Sequence, residues 1–578
     1  MSELIIGIDL GTTNSEVAIV QNGKVTVIAA DGKKILPSAV GITHDGSLLV
    51  GETAKNQYVI YPERTILSIK RKMGSADKVL LADTAYTPQE ISAMILKRLK
   101  SIAESYLQQS VTKAVITVPA YFSDVQRQAT REAGALAGLD VVRIINEPTA
   151  AALAYEVQTQ EKKCILVYDL GGGTFDVSIV SLQNQVVEVL ASGGNNHLGG
   201  DDFDAKIIDY VNQHLQEQGI NANSSAQAQA KIRRAAEVAK ITLSDHPFAN
   251  IEEEYLLDHQ GKPYHLSLEL SRTQYEEMIK DYIDETLESV HQALADANLL
   301  TKDIHEIVLV GGSSRTPMIT ERLAEIFHHR PRAEIDPELC VAAGAAIQAA
   351  VIAGEKCDAV LVDITPYAFG TSCVGLLDDM PYQYVYKAII PKNTPIPVTK
   401  SEVFGTMVDR QEVVEVCVYQ GENKDALENI KLGEFRIEGL SPVPAGNMII
   451  LNLKLDADGI LHVTAIEKKT GLEKKIVINN AIAQFSQDKM IEAKKRLDHL
   501  FENDLLSSPV HLHQHDKVQL LIKKAEDALD KISSEDREDL VNLIETIKDA
   551  IANNNESALS TYTDKLSDML FYLEVETA

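Results

Sequence analysis

The sequence predicts a multidomain protein in which an α/β region is followed by a β-sandwich and then by a helical region. Up to about residue 355, short apolar runs typical of buried strands, such as 5–8 and 165–168, alternate with helical patterns such as 87–107 and 272–297. From about 367 to 480 the apolar pattern has a period of two, and from 486 it becomes helical. We therefore expect domains at 1–355, 367–485 and 486–578, with a linker at 356–366.

Length and charge narrow the possible classes of protein. A chain of 578 residues is too long for one ordinary domain, and its formal charge of −29 disfavours a nucleic-acid partner. The five cysteines are scattered without a C-x-x-C pair, which is typical of free thiols in a reducing compartment. The N-terminus has no basic leader, and the longest apolar stretch, 341–353, is too short to span a bilayer. We expect a cytoplasmic protein without a membrane partner.

A repeat within the chain is the most informative pattern. The segment Asp9–Val20 recurs 160 residues later as Asp169–Val180, with Asp, Leu, Gly, Val, Ile and Val matching. Each copy has the pattern of a strand, a glycine-rich turn and a second strand. Two such hairpins predict a duplicated fold that holds one ligand between its halves.

The two turns have the composition of a phosphate site. Glycine-rich turns expose backbone N–H groups that cradle phosphate oxygens, and threonine hydroxyls add donors. Asp9 and Asp169, one at each strand end, could hold the water shell of Mg²⁺. Two ordinary tight turns are the alternative, which the matched acids disfavour. The chain has neither a P-loop nor a G-x-G-x-x-G motif, and a third glycine turn at 310–317 could place Arg315 against a base.

Several motifs together resemble the seventy-kilodalton heat-shock (DnaK-type) chaperone family over essentially the whole chain. The motifs are IDLGTTNS at 8–15, VPAYF at 118–122, INEPTAAALAY at 145–155, DLGGGTFD at 169–176, VGGSSR at 310–315 and the acid-flanked linker at 358–363. The resemblance implies an α/β actin-like (ribonuclease-H-like, duplicated) ATPase, a β-sandwich peptide-binding domain and an α-helical lid. It further implies a chaperone that binds and releases extended apolar segments of unfolded clients, with ATP hydrolysis coupled to lid closure. The implied cofactors are ATP or ADP and Mg²⁺.

The resemblance also assigns roles to residues of the ATPase region. Lys70 would reach the γ-phosphate, Glu147 and Asp169 would position the attacking water and the Mg²⁺ shell, and Asp9 would join that shell, mostly through water. Thr174 completes the implied catalytic set. The implied nucleotide contacts are Gly11, Thr12, Thr13, Gly171, Gly172, Gly173, Gly199, Gly200, Glu237, Lys240, Ser244, Gly311, Gly312, Ser313 and Arg315.

Further family positions concern communication between domains. Pro119 and Arg127 resemble the relay between nucleotide and linker, and a linker containing Val360, Leu361 and Val362 would dock on the ATPase in the ATP state. J-domain co-chaperones would engage the positions of Arg143, Asn146 and Asp363, and an exchange factor is a possible partner.

By the same resemblance, the sandwich presents a peptide cleft lined by apolar side chains. Its expected residues are Val374, Phe404, Met407, Val414, Val416 and Ile449, each of which could equally be an ordinary core residue. Thr371, Met407 and Ala445 depart from the family pattern, and Ala445 replaces an arginine that helps to latch the lid through the acid matching Asp409. With a shortened segment at 74–87, these departures resemble the HscC-like branch. The histidines at 511–515 are more typical of a solvated loop than of a metal site.

Two other classes of function are weighed against this interpretation. A sugar or acetate-type kinase could share the actin-like fold, but the β-sandwich and helical lid would have no role in it; phosphate transfer to sugars would separate the two. A non-hydrolysing holdase or exchange factor would not need Lys70, Glu147, Asp169 and Thr174, all of which are present.

Overall fold

The computed structural model describes residues 4–30, 32–155, 162–332, 336–355, 360–477, 487–507, 525, 534–552, 561–563, 565–566 and 569–570. The chain divides into two compact units, Met1–Leu497 and Asp498–Ala578. Among the described residues, no helix combines the length and the apolarity needed to cross a membrane.

Strands dominate the first unit. In chain order they are β1 (Ile5–Leu10), β2 (Asn14–Gln21), β3 (Lys24–Val27), β4 (Leu36–Pro37), β5 (Val40–Ile42), β6 (Leu48–Val50), β7 (Thr65–Ile66), β8 (Val79–Leu81), β9 (Thr84–Tyr86), β10 (Lys113–Val118), β11 (Asp140–Asn146), β12 (Lys163–Leu170), β13 (Phe175–Gln183), β14 (Val186–Asn195), β15 (Phe248–His259), β16 (Lys262–Ser271), β17 (Glu306–Val310), β18 (Val360–Ile364), β19 (Phe369–Leu377), β20 (Met380–Ile390), β21 (Pro395–Ile396), β22 (Val398–Gly405), β23 (Val413–Gln420), β24 (Ile430–Glu438), β25 (Met448–Leu455), β26 (Leu461–Glu467) and β27 (Glu473–Val477).

The helices lie mainly between the strands of the N-terminal part and at the C-terminus. They are α1 (Glu52–Tyr58), α2 (Pro88–Leu107), α3 (Asp124–Leu136), α4 (Glu147–Tyr155), α5 (Gly200–Glu217), α6 (Ala226–Asp245), α7 (Arg272–Asp296), α8 (Pro317–Phe327), α9 (Cys340–Ile352), α10 (Gln487–Ser507) and α11 (Ser534–Ala552). The expected helices at 87–107 and 272–297 are thus present as α2 and α7. Each begins after a capping residue, Thr87 or Ser271, whose hydroxyl accepts a backbone N–H of the first turn.

Two mixed sheets repeat one arrangement of strands. The first has the order β11-β10-β1-β2-β3, and the second has the order β17-β12-β13-β14-β18-β21. In each, three antiparallel strands (β1–β3 or β12–β14) are joined on one side by a parallel strand, β10 or β17. Both copies of the sequence repeat therefore form the predicted strand–turn–strand hairpins.

Helices α4 and α9 join the two sheets. Cβ atoms added to Gly344 and Gly7 would lie 1.7 Å from the carbonyl oxygen of Ala150 and 2.1 Å from the amide nitrogen of Ala346, so only glycine allows these backbones to approach. The surrounding core includes Val115 from the first sheet and Val167 from the second, both fully buried. This shared core fixes the two hairpins relative to one another.

A β-sandwich follows the second sheet. Its two four-stranded antiparallel sheets have the orders β20-β19-β23-β24 and β22-β25-β26-β27. Alternate residues such as Leu432, Leu453 and Val463 fill the core between them. A turn at 456–459, whose sequence Asp-Ala-Asp-Gly is typical of a hairpin, connects β25 to β26.

The predicted C-terminal helical region is represented by α10 and α11. Leu540, Ile544 and Ile547 form a buried stripe along α11, at the spacing of an amphipathic helix. The histidines at 511–515, and Cys357, Asp358 and Ala359 of the linker, lie outside the described residues.

Candidate functional site

The two glycine turns meet at their tips. Asp9 and Asp169 are the penultimate residues of β1 and β12, so both carboxylates lie at the mouth of their hairpins. A Cβ atom on Gly172 would lie 1.8 Å from the Thr13 hydroxyl oxygen. Glycine is therefore required for the second turn to lie against the first.

A cavity of about 310 Å³ opens between the turns. It is lined by most of the residues predicted for the nucleotide and its metal: Asp9, Gly11, Thr12, Thr13, Lys70, Glu147, Asp169, Gly171, Gly172, Thr174, Glu237, Lys240, Ser244, Gly311, Gly312, Ser313 and Arg315. Gly173, Gly199 and Gly200 are outside this lining. The amide of Gly200 instead donates to the carbonyl of Gly171 at 2.9 Å, so the start of α5 supports the second turn from behind.

One hydroxyl in the cavity is ready for an acceptor. The Thr13 hydroxyl is buried and has no hydrogen-bond partner among the described residues. A buried polar atom without a partner is costly unless a ligand satisfies it. The cavity therefore fits a ligand that carries hydrogen-bond acceptors at this place, as a phosphate does.

Lys70 lies inside the site and not on the surface. It belongs to the 3₁₀ turn Ile69–Lys72, and only 4% of its surface is exposed. Its ammonium lies 2.5 Å from Glu147, the first residue of α4, and 5.7 Å from the centre of the Phe122 ring. The pair gives the cavity a cation and a carboxylate in direct contact.

Buried acids dominate the electrostatics of the cavity. Burial, and next the neighbouring Glu147, raise the pKa of Asp9 to about 7. Burial, followed by the charges of Glu147, Asp176 and Asp9, raises the pKa of Asp169 well above its usual range. A divalent cation would reverse this effect, because it favours the ionised carboxylates. The donor set of oxygen atoms fits Mg²⁺.

The opposite end of the cavity contains ion pairs that link its two sides. Lys55 of α1 reaches across to Glu237 of α6 at 2.8 Å, and Lys240 lies 2.9 Å from Asp204. Arg315 is half exposed and lies 3.0 Å from Asp336, so its planar guanidinium is held at the rim.

Hydrogen bonds, together with the backbone turn that follows β10, connect the cavity with the linker. Thr117, near the end of β10, donates to Asp9 at 2.7 Å, and Pro119 begins the turn that follows this strand. Arg127 donates to the carbonyl of Ala120 at 2.9 Å, within that same turn.

The hydrogen bonds of Arg127 and Asn146 continue into the linker itself. Arg127 donates to Asn146 at 2.7 Å, and Asn146 donates to Asp363 at 2.9 Å. The structure thus brings Arg127, Asn146 and Asp363 together. The predicted Arg143 lies beside them but pairs with Asp458, at 3.6 Å.

The linker is a strand of the second sheet. Val360, Leu361 and Val362 pair in parallel with Val186, Val187 and Glu188 of β14. Leu361 packs against the shared core, whereas Val360 remains 57% exposed. On its other side, β18 pairs with β21 of the following region.

The β25–β26 turn of the sandwich contacts the N-terminal α/β region. Asp458 accepts the backbone N–H of Ile144 at 3.0 Å and pairs with Arg131, while the N–H of Leu461 donates to Asp124 at 2.9 Å. Lys392 adds a pair with Asp296 at 2.7 Å.

The predicted peptide residues are divided between core and surface. Val416 and Ile449 are buried, and Phe404 and Val414 are partly buried against the sandwich core. Val374 and Met407 are 53% and 65% exposed. Two of the departures have partners: Thr371 donates to the carbonyl of Cys417 at 2.6 Å, and the N–H of Ala445 donates to Asp409 at 2.9 Å.

Sequence reasoning missed several residues that line the cavity, chiefly Glu16, Lys55 and Glu338. A signal for Glu16 was present, because a two-stranded hairpin places it opposite Asp9. No local pattern distinguishes Lys55 or Glu338 from surface residues, since their partners are distant in the sequence.

Known proteins are similar to this chain over nearly its whole length. A family model described as Hsp70 protein matches residues 5–576. The chaperone protein DnaK of Thermosipho africanus is 45% identical over 576 residues, which cover 98% of this chain and 95% of that protein. The chaperone proteins DnaK of Thermotoga neapolitana and Thermotoga maritima are 45% and 44% identical over 578 residues, with the same coverage.

A match of this extent shows the family. The chain belongs to the Hsp70 family and is an ATP-dependent molecular chaperone that hydrolyses ATP.

Proposed function

We propose that ATP binds in the cavity between the two hairpins. Its phosphates lie against the turns at 11–13 and 171–174, and its adenosine lies between α6, at Glu237, Lys240 and Ser244, and the turn at 311–315. The observation that carries this proposal is the convergence of both glycine turns on one cavity that contains the partnerless hydroxyl of Thr13. Backbone N–H groups of such turns suit phosphate oxygens.

The catalytic residues are then Lys70, Glu147, Asp169 and Thr174. Lys70 neutralises charge on the γ-phosphate, and Glu147 holds this ammonium and orients the attacking water. Thr174 donates to a phosphate oxygen. Asp9 and Asp169 hold Mg²⁺ mostly through water, and the ion neutralises phosphate charge when it is bound.

Nucleotide binding is coupled to the sandwich through the hydrogen bonds and the backbone turn that connect the cavity with the linker. Thr117 and Pro119 connect Asp9 with Arg127, and Asn146 extends the connection to Asp363. Allosteric coupling requires two global states with different affinity for the ligand. The docked linker described above is the arrangement that we assign to the ATP-bound state.

Client peptides occupy the cleft of the sandwich at Val374, Phe404, Met407, Val414, Val416 and Ile449. The chaperone binds unfolded client polypeptides as its family does, and this assignment supplies the residues. The mixed exposure of these side chains supports the proposal, since a binding surface must be partly accessible in a state that releases peptide. The boundaries 1–355, 356–366, 367–485 and 486–578 separate the duplicated actin-like ATPase, the linker, the sandwich and the lid.

The family resemblance also implies further partners of the chaperone. A J-domain co-chaperone engages Arg143, Asn146 and Asp363, where it can shift the linker between its two positions. A nucleotide exchange factor is a second partner, and the cytoplasm is the expected compartment. The HscC-like branch stays a prediction that rests on Thr371, Met407 and Ala445.

The rate of ATP hydrolysis with and without an extended apolar peptide tests this function. We expect faster turnover with the peptide, because occupation of the cleft favours the undocked linker and thereby hydrolysis. A charged peptide of equal length is the control and should have no effect. A rate that no apolar peptide changes would contradict the coupling.

A further inference from the structure

Glu16 is a carboxylate in the cavity that the proposed mechanism does not use. It lies on β2 directly opposite Asp9 of β1, so both side chains are on the same face of the hairpin. Glu16 lines the cavity, and only 2% of its surface is exposed.

No cation in the part of the chain that the structure describes is paired with Glu16. Among the described residues, its carboxylate has neither a hydrogen bond nor an ion pair. The basic residue whose charge acts on Glu16 is Lys70, and its ammonium is in contact with Glu147. The other charges that act on Glu16 are those of Asp9, Glu338 and Asp336, all negative. A buried carboxylate among like charges is costly unless a counter-ion is present.

Most of the other acids around the cavity have partners of their own. Glu237 pairs with Lys55, Asp204 with Lys240, and Glu338 accepts from Asn14 at 3.3 Å. Among the residues that the structure describes, the Asp9 carboxylate accepts a hydrogen bond only from the Thr117 hydroxyl. Asp169 also lines the cavity without a cation partner among the described residues. The uncompensated negative charge of the cavity therefore lies on Asp169 and on the cross-strand pair of Asp9 and Glu16.

We propose that Asp9 and Glu16 form a divalent-cation site that the chain fills without nucleotide. Hard oxygen ligands on adjacent strands suit a hydrated Mg²⁺ or Mn²⁺ ion, and the neighbouring Glu338 adds to the negative potential. The inference rests on the proposed function only in assigning Asp9 to the metal. It adds the Glu16 carboxylate to those of Asp9 and Asp169 and predicts that the cation binds before ATP does.

Mn²⁺ binding to the nucleotide-free full-length chain tests the proposal. Electron paramagnetic resonance detects free hydrated Mn²⁺, so titration gives the affinity directly. We expect one saturable strong site in the unaltered chain and an affinity at least tenfold weaker in Glu16→Gln. Mn²⁺ should also raise the melting temperature of the unaltered chain but not that of the variant. Glu16→Ala provides a second variant if Glu16→Gln fails to fold.

Glu434→Gln is the matched control. Glu434 belongs to an exposed group with Glu415 and Cys417 on the sandwich, so its removal tests binding to surface acids. We expect its Mn²⁺ affinity to equal that of the unaltered chain. Equal affinity in Glu16→Gln, binding that appears only with ATP, or loss of the strong site in Glu434→Gln would each overturn the proposal.

Calorimetric titration with ADP separates this inference from the proposed function. A chain that binds Mn²⁺ through Glu16 but no adenine nucleotide would contradict the proposed function and leave the metal site intact. A chain that binds ADP but retains full Mn²⁺ affinity in Glu16→Gln would contradict the metal site and leave the proposed function intact.

Discussion

The proposed nucleotide cavity and the proposed peptide cleft differ in the chemistry of their residues. The cavity contains many charged groups, several of them in specific pairs such as Lys70 with Glu147 and Lys55 with Glu237. The cleft residues are apolar and range from the buried Ile449 to the largely exposed Met407.

This difference affects how each site can change. Removing one partner of a buried ion pair costs much free energy, because the other charge stays buried without a counter-charge. The geometry of the cavity is therefore narrowly constrained. Apolar side chains on strands lose much less free energy when they shift, so we expect the proposed cleft to open and close at a modest cost in free energy. We expect mutations in the cavity to have the largest effects, mutations in the docking contacts intermediate effects, and mutations near the cleft the smallest.

Lys70→Ala should lower the rate of ATP hydrolysis by about 100- to 1,000-fold, the usual cost of removing a group that stabilises transition-state charge. Peptide affinity without ATP should stay unchanged, because Lys70 is far from the sandwich core. Steady-state phosphate release and peptide anisotropy measure the two quantities.

Lys72→Ala is the matched control for this prediction. Lys72 lies in the same 3₁₀ turn but is exposed. Its replacement should leave turnover unaltered. Unchanged turnover in Lys70→Ala would refute the role assigned to Lys70.

Asp458→Ala should slow ATP-triggered peptide release by about 10- to 100-fold, the range of typical allosteric coupling. The substitution removes the acceptor for the Ile144 N–H and the partner of Arg131. Stopped-flow release of a fluorescent peptide measures the rate. The exposed Lys454 on β25 gives the control Lys454→Ala. Release as fast as in the unaltered chain would show that this contact does not carry the coupling.

Docking of the sandwich should weaken by up to about tenfold between pH 6 and pH 8. Burial raises the pKa of Asp124 to about 7 in the docked arrangement. The Leu461 N–H and Arg127 oppose this shift, and the charge of Asp456 adds to it. Docking therefore binds a proton, is most favourable below the ordinary carboxyl pKa, and loses stability as the pH rises through 7.

Asp124→Asn should remove most of this pH dependence, since asparagine still accepts the Leu461 N–H but does not ionise. Hydrogen exchange of β26 at several pH values, corrected for intrinsic exchange, measures docking. An equally steep pH profile in the variant would assign the effect to another group.

Ala445→Arg should slow peptide release in the ADP state by about two- to fivefold, in line with a surface ion pair. The new guanidinium would lie beside Asp409, which now accepts only the backbone N–H of residue 445 among the described contacts. Ala445→Gln adds length without charge and should have little effect. Equal rates in all three chains would exclude an acidic latch at this position.

The residues around the cavity were easier to predict from the sequence than those of the proposed cleft, because the motifs of the cavity consist of adjacent residues. The glycine turns after Asp9 and Asp169 need only a few adjacent residues, and the structure places them around one cavity with Lys70 and Glu147. The strands of the sandwich were likewise evident from their period of two.

Ion pairs between residues that are distant in the sequence could not be predicted from local sequence patterns. Lys55 with Glu237, Arg131 with Asp458, and Arg496 with Glu90 join residues that are distant in the sequence and carry no local signal. For the same reason, whether Val374 or Val416 is exposed could not be deduced, because alternation along a strand does not state what covers each face.

Hydrogen exchange of the linker tests the central claim most directly. The full chain carrying Lys70→Ala should be compared with ATP and with ADP, so that ATP is not consumed. With ATP, we predict at least tenfold slower exchange of the amides at Val360–Ile364, because β18 is paired with β14 and β21. Equal exchange with the two nucleotides would contradict the coupling of the cavity to the sandwich.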